Sequence, residues 1–372
     1  MVAINNTFTY DPLEFGTILG DLLKQDSITN INCWYGKIII SDNTKGEYEY
    51  DLNQYSREEI EELREVIQKL PNRLANRMVV SYNEGSPILD AETEYENIGR
   101  LRINVIHDSL NGSDYPAISI RRTLMKVRMT KAMIVDSGYA SKEMVSLIKA
   151  LVEAGSNIMI AGVTGSGKTE LLRYIARFIK DNEAIITIED TREAYLEYNY
   201  RSKHILALKT SEGQDFSDLI RACLRQNPTW ICVSETRSKE VLDLLNAVET
   251  GHRLISTIHA DSSIAIPSRM VSMAKTHDGA EANRIYRQVF ENIDIGIYLY
   301  YDEDGKGAHR IIAEIAEFYI DDDGNTKSHL ICEYDFMNNC FKYNKIESKK
   351  IRTNLIKKHV DTTYMKGEFL DG

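Results

Sequence analysis

The segment Gly162-Val163-Thr164-Gly165-Ser166-Gly167-Lys168-Thr169 constrains this chain more than any other. It fits the pattern G-x-x-x-x-G-K-[ST]. A short apolar run, Asn157 to Ala161, precedes it, and Leu171, Leu172, Ile175, Phe178 and Ile179 follow it at helical spacing. A strand, a glycine-rich loop and an amphipathic helix in that order belong to a parallel sheet with helices on its faces. The residue types account for a phosphate site. Glycines let the backbone turn tightly and point successive N–H groups inward, where they and the helix N-terminus hold phosphate oxygens. Lys168 would place a point charge on the β- and γ-phosphates, and the Thr169 hydroxyl would bind Mg²⁺. The expected nucleotide-binding residues are Gly162, Thr164, Gly165, Ser166, Gly167, Lys168 and Thr169, with Glu170 beside them in the first helical turn.

The rest of the chain falls into two parts. In the first third, Ser56 and Glu59 have capping-box spacing, and Ile60, Leu63, Val66, Ile67 and Leu70 recur at helical spacing until Pro71 stops the run. Leu101 to Ile106 and Ala117 to Arg122 read as strands, with a turn at Asn111-Gly112-Ser113. This part reads as a small α+β domain, residues 1–122, followed by an aperiodic linker, 123–138. The second part, 139–372, opens with a helix capped by Ser141 and closed by Gly155. Strands recur at Ala184 to Ile188 and Trp230 to Val233, with helical runs at Phe216 to Gln226 and Lys239 to Val248. Past Pro267 a polar helical region leads to strands at Ile295 to Tyr301 and Arg310 to Ile320. The loops Asp302 to Gly305 and Asp321 to Gly324 read as hairpin turns, which makes the late strands antiparallel.

Charge and cysteines exclude several classes. Asp plus Glu number 56 against 45 Lys plus Arg, a formal net charge of −11, which disfavours bulk electrostatic binding to nucleic acid or anionic lipid. The cysteines, Cys33, Cys223, Cys232, Cys332 and Cys340, form no C-x-x-C pair and are odd in number, so neither a disulfide framework nor a four-cysteine zinc site is expected. No apolar stretch approaches the ~18 residues that span a bilayer, and no signal peptide is visible from Met1 to Phe15.

Hydrolysis needs a carboxylate that orients water. Two apolar strands end in one: Glu189-Asp190 after Ile185 to Ile188, and Glu235 after Trp230 to Val233 and the small Ser234. Ligands of open parallel sheets sit at the carboxyl ends of the strands, so both would face the cleft of Lys168. His252 and His259 lie downstream, where a histidine can bond a γ-phosphate or a carboxylate.

Taken in order, these segments resemble the type II/type IV secretion-system ATPase family, which includes the ATPases of conjugation and pilus assembly. Ile188 to Thr191 is similar to that family's Asp box. Phe216 to Pro228, running into Ser234 to Arg237, is similar to its Walker B region, and Thr250 to His252 through Thr257 to Ala260 to its His box. The resemblance is dense over about a hundred residues from Gly162 to Ser262, and looser from Leu101 to Arg122 and from Ile295 to Glu317. It implies an α/β fold, a RecA-like P-loop ATPase domain with a smaller N-terminal α+β domain, and ATP and Mg²⁺ as cofactors. It implies catalytic roles for Glu235, Glu189 and His259, and a metal shell that includes Thr169 and Glu235. Arg121 and Arg122 stand where the family carries a basic residue that reaches nucleotide. A homo-hexameric ring is implied, cytoplasmic and held peripherally at the inner face of the membrane by platform and secretion-apparatus proteins, with no stable nucleic-acid binding. Two departures stand out: Ser234 replaces the usual Gly, and Glu170 replaces a Ser or Thr. Tetracysteine modules are absent, which points to the branch of conjugation, protein secretion and tight-adherence pili.

The residues and the resemblance they carry leave three functions to weigh. One is Mg-ATP hydrolysis powering secretion or filament assembly. The second is a nucleotide-gated assembly module with little turnover. The third is a nucleic-acid translocase on the same core, which the net charge of −11 opposes.

Overall fold

In the computed structural model the chain divides into two compact units, Met1–Met125 with Glu303–Ala308, and Lys126–Asp302 with His309–Gly372. The structure describes residues 7–8, 12–95, 98–238, 240–274, 279–304, 307–365 and 367–370.

The first unit carries β1 (Thr7–Phe8), α1 (Pro12–Lys24), β2 (Ile28–Trp34), β3 (Lys37–Asp42), β4 (Gly46–Glu49), α2 (Arg57–Met78), β5 (Ile88–Tyr95), β6 (Gly99–Ile106), α3 (Asp108–Asn111) and β7 (Ala117–Thr123). Its sheet runs β1-β5-β6-β7-β2-β3-β4. Burial alternates residue by residue along β6, so one face of the sheet is core. Leu19 and Leu22 of α1 and Leu63 and Leu70 of α2 pack there with Ile31, Ile103 and Ile120. The expected capping box forms: Ser56 and Glu59 satisfy each other's backbone N–H at the start of α2. The expected stop at Pro71 does not occur. The helix runs through it to Met78, because Leu70, Pro71, Leu74 and Ala75 are all buried and their packing outweighs one missing N–H.

From Lys126 onward come α4 (Lys131–Asp136), α5 (Lys142–Ala154), β8 (Ile158–Gly162), α6 (Lys168–Ile175), β9 (Ile185–Glu189), α7 (Leu196–Asn199), β10 (Ile205–Lys209), α8 (Phe216–Leu224), β11 (Trp230–Val233), α9 (Glu240–Glu249), β12 (Arg253–Ile258), α10 (Ile266–Met273), α11 (Gly279–Asn292), β13 (Ile295–Asp304), β14 (Gly307–Ile320), β15 (Thr326–Asp335), β16 (Cys340–Tyr343) and α12 (Lys349–Lys357). The helix α4 lies within the stretch read from sequence as linker. Lys239, the expected start of α9, and Gly305, the end of one expected turn, lie outside the described residues. The turn Asp321 to Gly324 forms, closed by a Gly324 N–H bond to the Asp321 carbonyl.

The second sheet runs β10-β9-β11-β12-β8-β13-β14-β15-β16. Strands β10, β9, β11, β12, β8 and β13 pair in parallel, while β14, β15 and β16 pair antiparallel. All of β8 is buried. Ile158 and Ile160 face α5 and α6 through Leu147, Leu151, Leu171 and Leu172. Met159 and Ala161 face the other side, where Ile220, Leu244, Met270 and Val289 come from α8, α9, α10 and α11. Such two-sided burial explains why β8 reads as a continuous apolar run rather than an alternation. Ala161 is level with Ile258, and Val233 is level with both Ile188 and Ser256. The residues that follow β8, β9, β11 and β12 therefore emerge at one edge of the sheet.

Candidate functional site: a phosphate loop and its acidic flank

The loop leaves β8 at Gly162, whose φ is +153°. A Cβ there would lie 2.6 Å from Ser166 Oγ and 2.8 Å from the Leu299 carbonyl, so glycine is required for the loop to fold back this tightly. Gly167 caps α6 at φ +95° with no side-chain bond to the first-turn amides. Those amides keep their donors for an anion, and the helix dipole adds to the attraction. Ser166 is fully buried, and its hydroxyl has no hydrogen-bond partner among the described residues. A buried hydroxyl without a partner in such a loop is the condition a phosphate group would relieve.

Lys168 Nζ donates to the carbonyls of Gly162 at 2.8 Å and Val163 at 2.9 Å. Burial lowers its pKa to about 8, partly offset by Glu235 and Glu193, while Arg237 adds to the lowering. Thr169 Oγ1 makes one long contact, 3.5 Å to Glu193 Oε2. Glu170 has both oxygens engaged within its own unit: Oε1 accepts the Arg128 N–H at 2.7 Å and Oε2 accepts Arg173 Nη1 at 2.9 Å. Its carboxylate is tied to the segment before α4 and to the next turn of α6.

On the acidic flank, Glu235 follows β11 and is gripped at both oxygens. Oε1 lies 2.8 Å from His259 Nε2, and Oε2 lies 2.6 Å from Arg237 Nη2. The other arm of Arg237 reaches Asp190 Oδ2 at 2.8 Å. The bond to Glu235 is the main cause that raises the Arg237 pKa further. Asp190, Arg237, Glu235 and His259 thus form one chain of polar contacts across the ends of β9, β11 and β12. Glu189 is not part of it. It is 1% exposed, and its Oε1 accepts the N–H groups of Glu193 at 3.0 Å and Ala194 at 2.8 Å. Burial pushes its pKa up to about 7 despite those two amides. A cleft of about 440 Å³ opens beside the loop, lined by Gly162, Val163, His259, Asp261, Ser268 and Arg269 among others.

The two histidines part company. His259 follows β12 and joins the site, whereas His252 precedes that strand, roughly 20 Å away at ~3.3 Å per residue. The arginines expected to reach nucleotide lie in the first unit and also differ. Arg122 is 6% exposed, and its guanidinium donates to the carbonyls of Ile98 and Gln25, both at 2.7 Å, and to Asp26 at 3.2 Å. Arg121, one residue earlier on β7, faces solvent. Three residues of the site drew no role from the sequence. Glu193 faces Thr169, Arg237 bridges the two acidic strand ends, and Arg310 donates from β14 to the Gly165 carbonyl at 3.0 Å. Arg237 could have been suspected from its place two residues after Glu235. Arg310 stands 145 positions from its partner, and no spacing rule reaches that far.

The family model described as "Type II/IV secretion system protein" matches residues 63–290. The type IV secretion system protein PtlH of Bordetella pertussis is 34% identical over 175 residues, which are 45% of this chain and 52% of PtlH. Among solved structures, the ATPase DotB of Legionella pneumophila aligns with a TM-score of 0.60 at 18% identity, covering 97% of this chain and 89% of DotB. The pilus retraction motor PilT, solved with bound ADP, aligns with a TM-score of 0.58 at 19% identity, covering 96% of this chain and 90% of PilT. At such identities these two likenesses show the fold alone. The chain spans about half the length of the curated relatives it matches: 58%, 44% and 52% of three of them.

Proposed function

We infer that this chain, which belongs to the type II/IV secretion system protein family, hydrolyses ATP to drive a secretion or pilus-assembly machine. One observation carries the reading. Lys168 and its loop, Glu235 and His259 converge at a single sheet edge, although they lie on three separate strand ends. The amides of the loop and Lys168 would hold the β- and γ-phosphates. Glu235 would orient the attacking water and accept its proton, with His259 holding the carboxylate in place. Mg²⁺, when bound, neutralises charge on the terminal phosphates, and Thr169 and Glu235 are the residues that would hold it. The long 3.5 Å contact of Thr169, its one side-chain hydrogen bond among the described residues, leaves its hydroxyl available for that role. The test is phosphate release by the purified chain. Lys168→Ala should lower it by at least ~10². Equal release by wild type and variant at every concentration overturns the reading.

A homo-hexameric ring at the cytoplasmic face of the membrane, held there by partners, completes the proposal. Among the described residues no helix is long and apolar enough to cross a membrane. Of the two arginines, the exposed Arg121 is then the one offered to nucleotide, since Arg122 is buried. Turnover per chain should rise with protein concentration as rings assemble, and Arg121→Ala should flatten that rise, by up to ~10³ at saturation. Specific activity that stays constant while sizing shows assembly overturns it.

One observation favours a second reading, an ATP-binding module with little turnover. Both oxygens of Glu235 are occupied, by Arg237 and by His259. A carboxylate so engaged must be released before it can accept a proton.

A further inference from the structure

The phosphate loop lies between two walls. The acidic flank on β11 and β12 is one, and the strands β13 and β14 are the other. On β13, Leu299 and Tyr301 share a face. Leu299 Cβ sits 3.3 Å from where a Gly162 Cβ would be, and the Tyr301 ring edge sits 3.9 Å from where a Gly165 Cβ would be. On β14, Arg310 lays its guanidinium over the Tyr301 ring, 4.7 Å from the centroid. Its Nε donates to the Gly165 carbonyl at 3.0 Å, and its Cδ lies 3.9 Å from where a Gly167 Cβ would be.

A loop that binds phosphate with its amides must turn carbonyls outward, and each outward carbonyl needs a partner. Among the described residues, two side chains donate to the backbone of this loop, Lys168 and Arg310. Lys168 holds the carbonyls of Gly162 and Val163, but it is also the charge that a bound phosphate draws away. Once it turns, Arg310 is the side chain still fastening the loop. We propose that Arg310, braced on Tyr301, is a positioning residue that keeps the Gly165–Gly167 amides converged when Lys168 engages phosphate. A guanidinium suits the task. Its plane stacks on the ring, which leaves Nε fixed in direction, and a lysine can do neither. The proposal rests on the reading of this loop as a nucleotide site.

The experiment measures binding of a fluorescent ADP analogue by anisotropy, and steady-state turnover of ATP, for the full chain and three variants. Arg310→Ala should weaken ADP binding and raise KM for ATP roughly tenfold, the effect of one charge-assisted hydrogen bond, with kcat within about twofold. Tyr301→Leu should move both in the same direction by roughly threefold. Arg310→Lys should stay within about threefold of the alanine variant. Full recovery by lysine makes the effect one of charge alone and overturns the proposal. Unchanged binding in Arg310→Ala, or a fall in kcat with KM unmoved, overturns it as well. If Arg310→Ala does not fold, the lysine and leucine variants decide by the same readings. A wild type that binds no ADP overturns the nucleotide reading itself; a wild type that binds, with variants that bind equally, overturns only the role of Arg310.

Discussion

Two neighbouring strand ends each carry a glutamate, and the fold uses them differently. Strands β9 and β11 run in parallel with Ile188 level with Val233. Glu189 is one residue past that rung and Glu235 is two past it. Side chains alternate between faces, so a one-residue offset sends the two carboxylates opposite ways. It is Asp190, not Glu189, that shares Arg237 with Glu235. Glu189 points instead into the protein and accepts the N–H groups of residues 193 and 194. A carboxylate among charges and water can take a proton from water in the course of a reaction. One sealed against backbone amides shapes the loop that carries Glu193 and the ring of Tyr195. Carboxylates at two neighbouring strand ends thus sit in different surroundings, one among charged side chains and one against backbone amides.

Exchanging each carboxylate for its amide breaks or sharpens this division. The largest effect is expected at Glu235. Glu235→Gln should retain ADP binding and lose ~10²–10⁴ in the rate of phosphate release, the value of a lost general base. The same variant separates the two readings of function, because slow turnover left untouched by it favours the module with little hydrolysis. Glu189→Gln should cost far less. Its amide oxygen can accept from the same two N–H groups, so the loss should stay near that of one perturbed hydrogen bond, about tenfold or below. Equal losses at both positions would erase the distinction between them.

Register is also what separates the legible part of this fold from the rest. The strand, loop and helix around Lys168 could be read because each step is local: apolar run, glycines, amphipathic period. The caps at Ser56 and Ser141 were legible for the same reason, and both form. The strand β12 was not, since Arg253 to Ile258 mixes charged, apolar and hydroxyl residues and lies in a segment with no alternation to mark it. Its Ser256 and Thr257 are buried because their hydroxyls bond the next strand: Thr236 and the Val233 carbonyl for Ser256, the Ser234 carbonyl for Thr257. Helix α2 outruns its proline because the core holds both sides of it. Glu170 reads as a neighbour of phosphate by position, yet a backbone amide 42 residues upstream and the Arg173 guanidinium hold it. In each case at least one deciding partner is distant in sequence, and a pattern read along one chain carries no term for it.

The smallest effect is thermodynamic and isolates Glu189 from catalysis altogether. Its pKa rises from 4.5 to about 7 because burial penalises the charge more than the amides of residues 193 and 194 favour it, with Glu193 and Glu197 adding repulsion. A folded-state pKa above the unfolded one means the native protein holds the proton more tightly. The contribution to stability is then complete below the unfolded value and is lost as pH rises through the folded one. The window runs from about 4.5 to about 7, and the full amplitude is at most about 3 kcal/mol for that shift. Glutamine at this position is neutral throughout, so it removes the term. Urea unfolding of wild type and Glu189→Gln should therefore give similar midpoints at about pH 4.5 and a gap favouring glutamine that opens towards about pH 8. A gap that stays constant across this range would mean that Glu189 does not hold its proton in the folded chain, and that its environment resembles that of Glu235 after all.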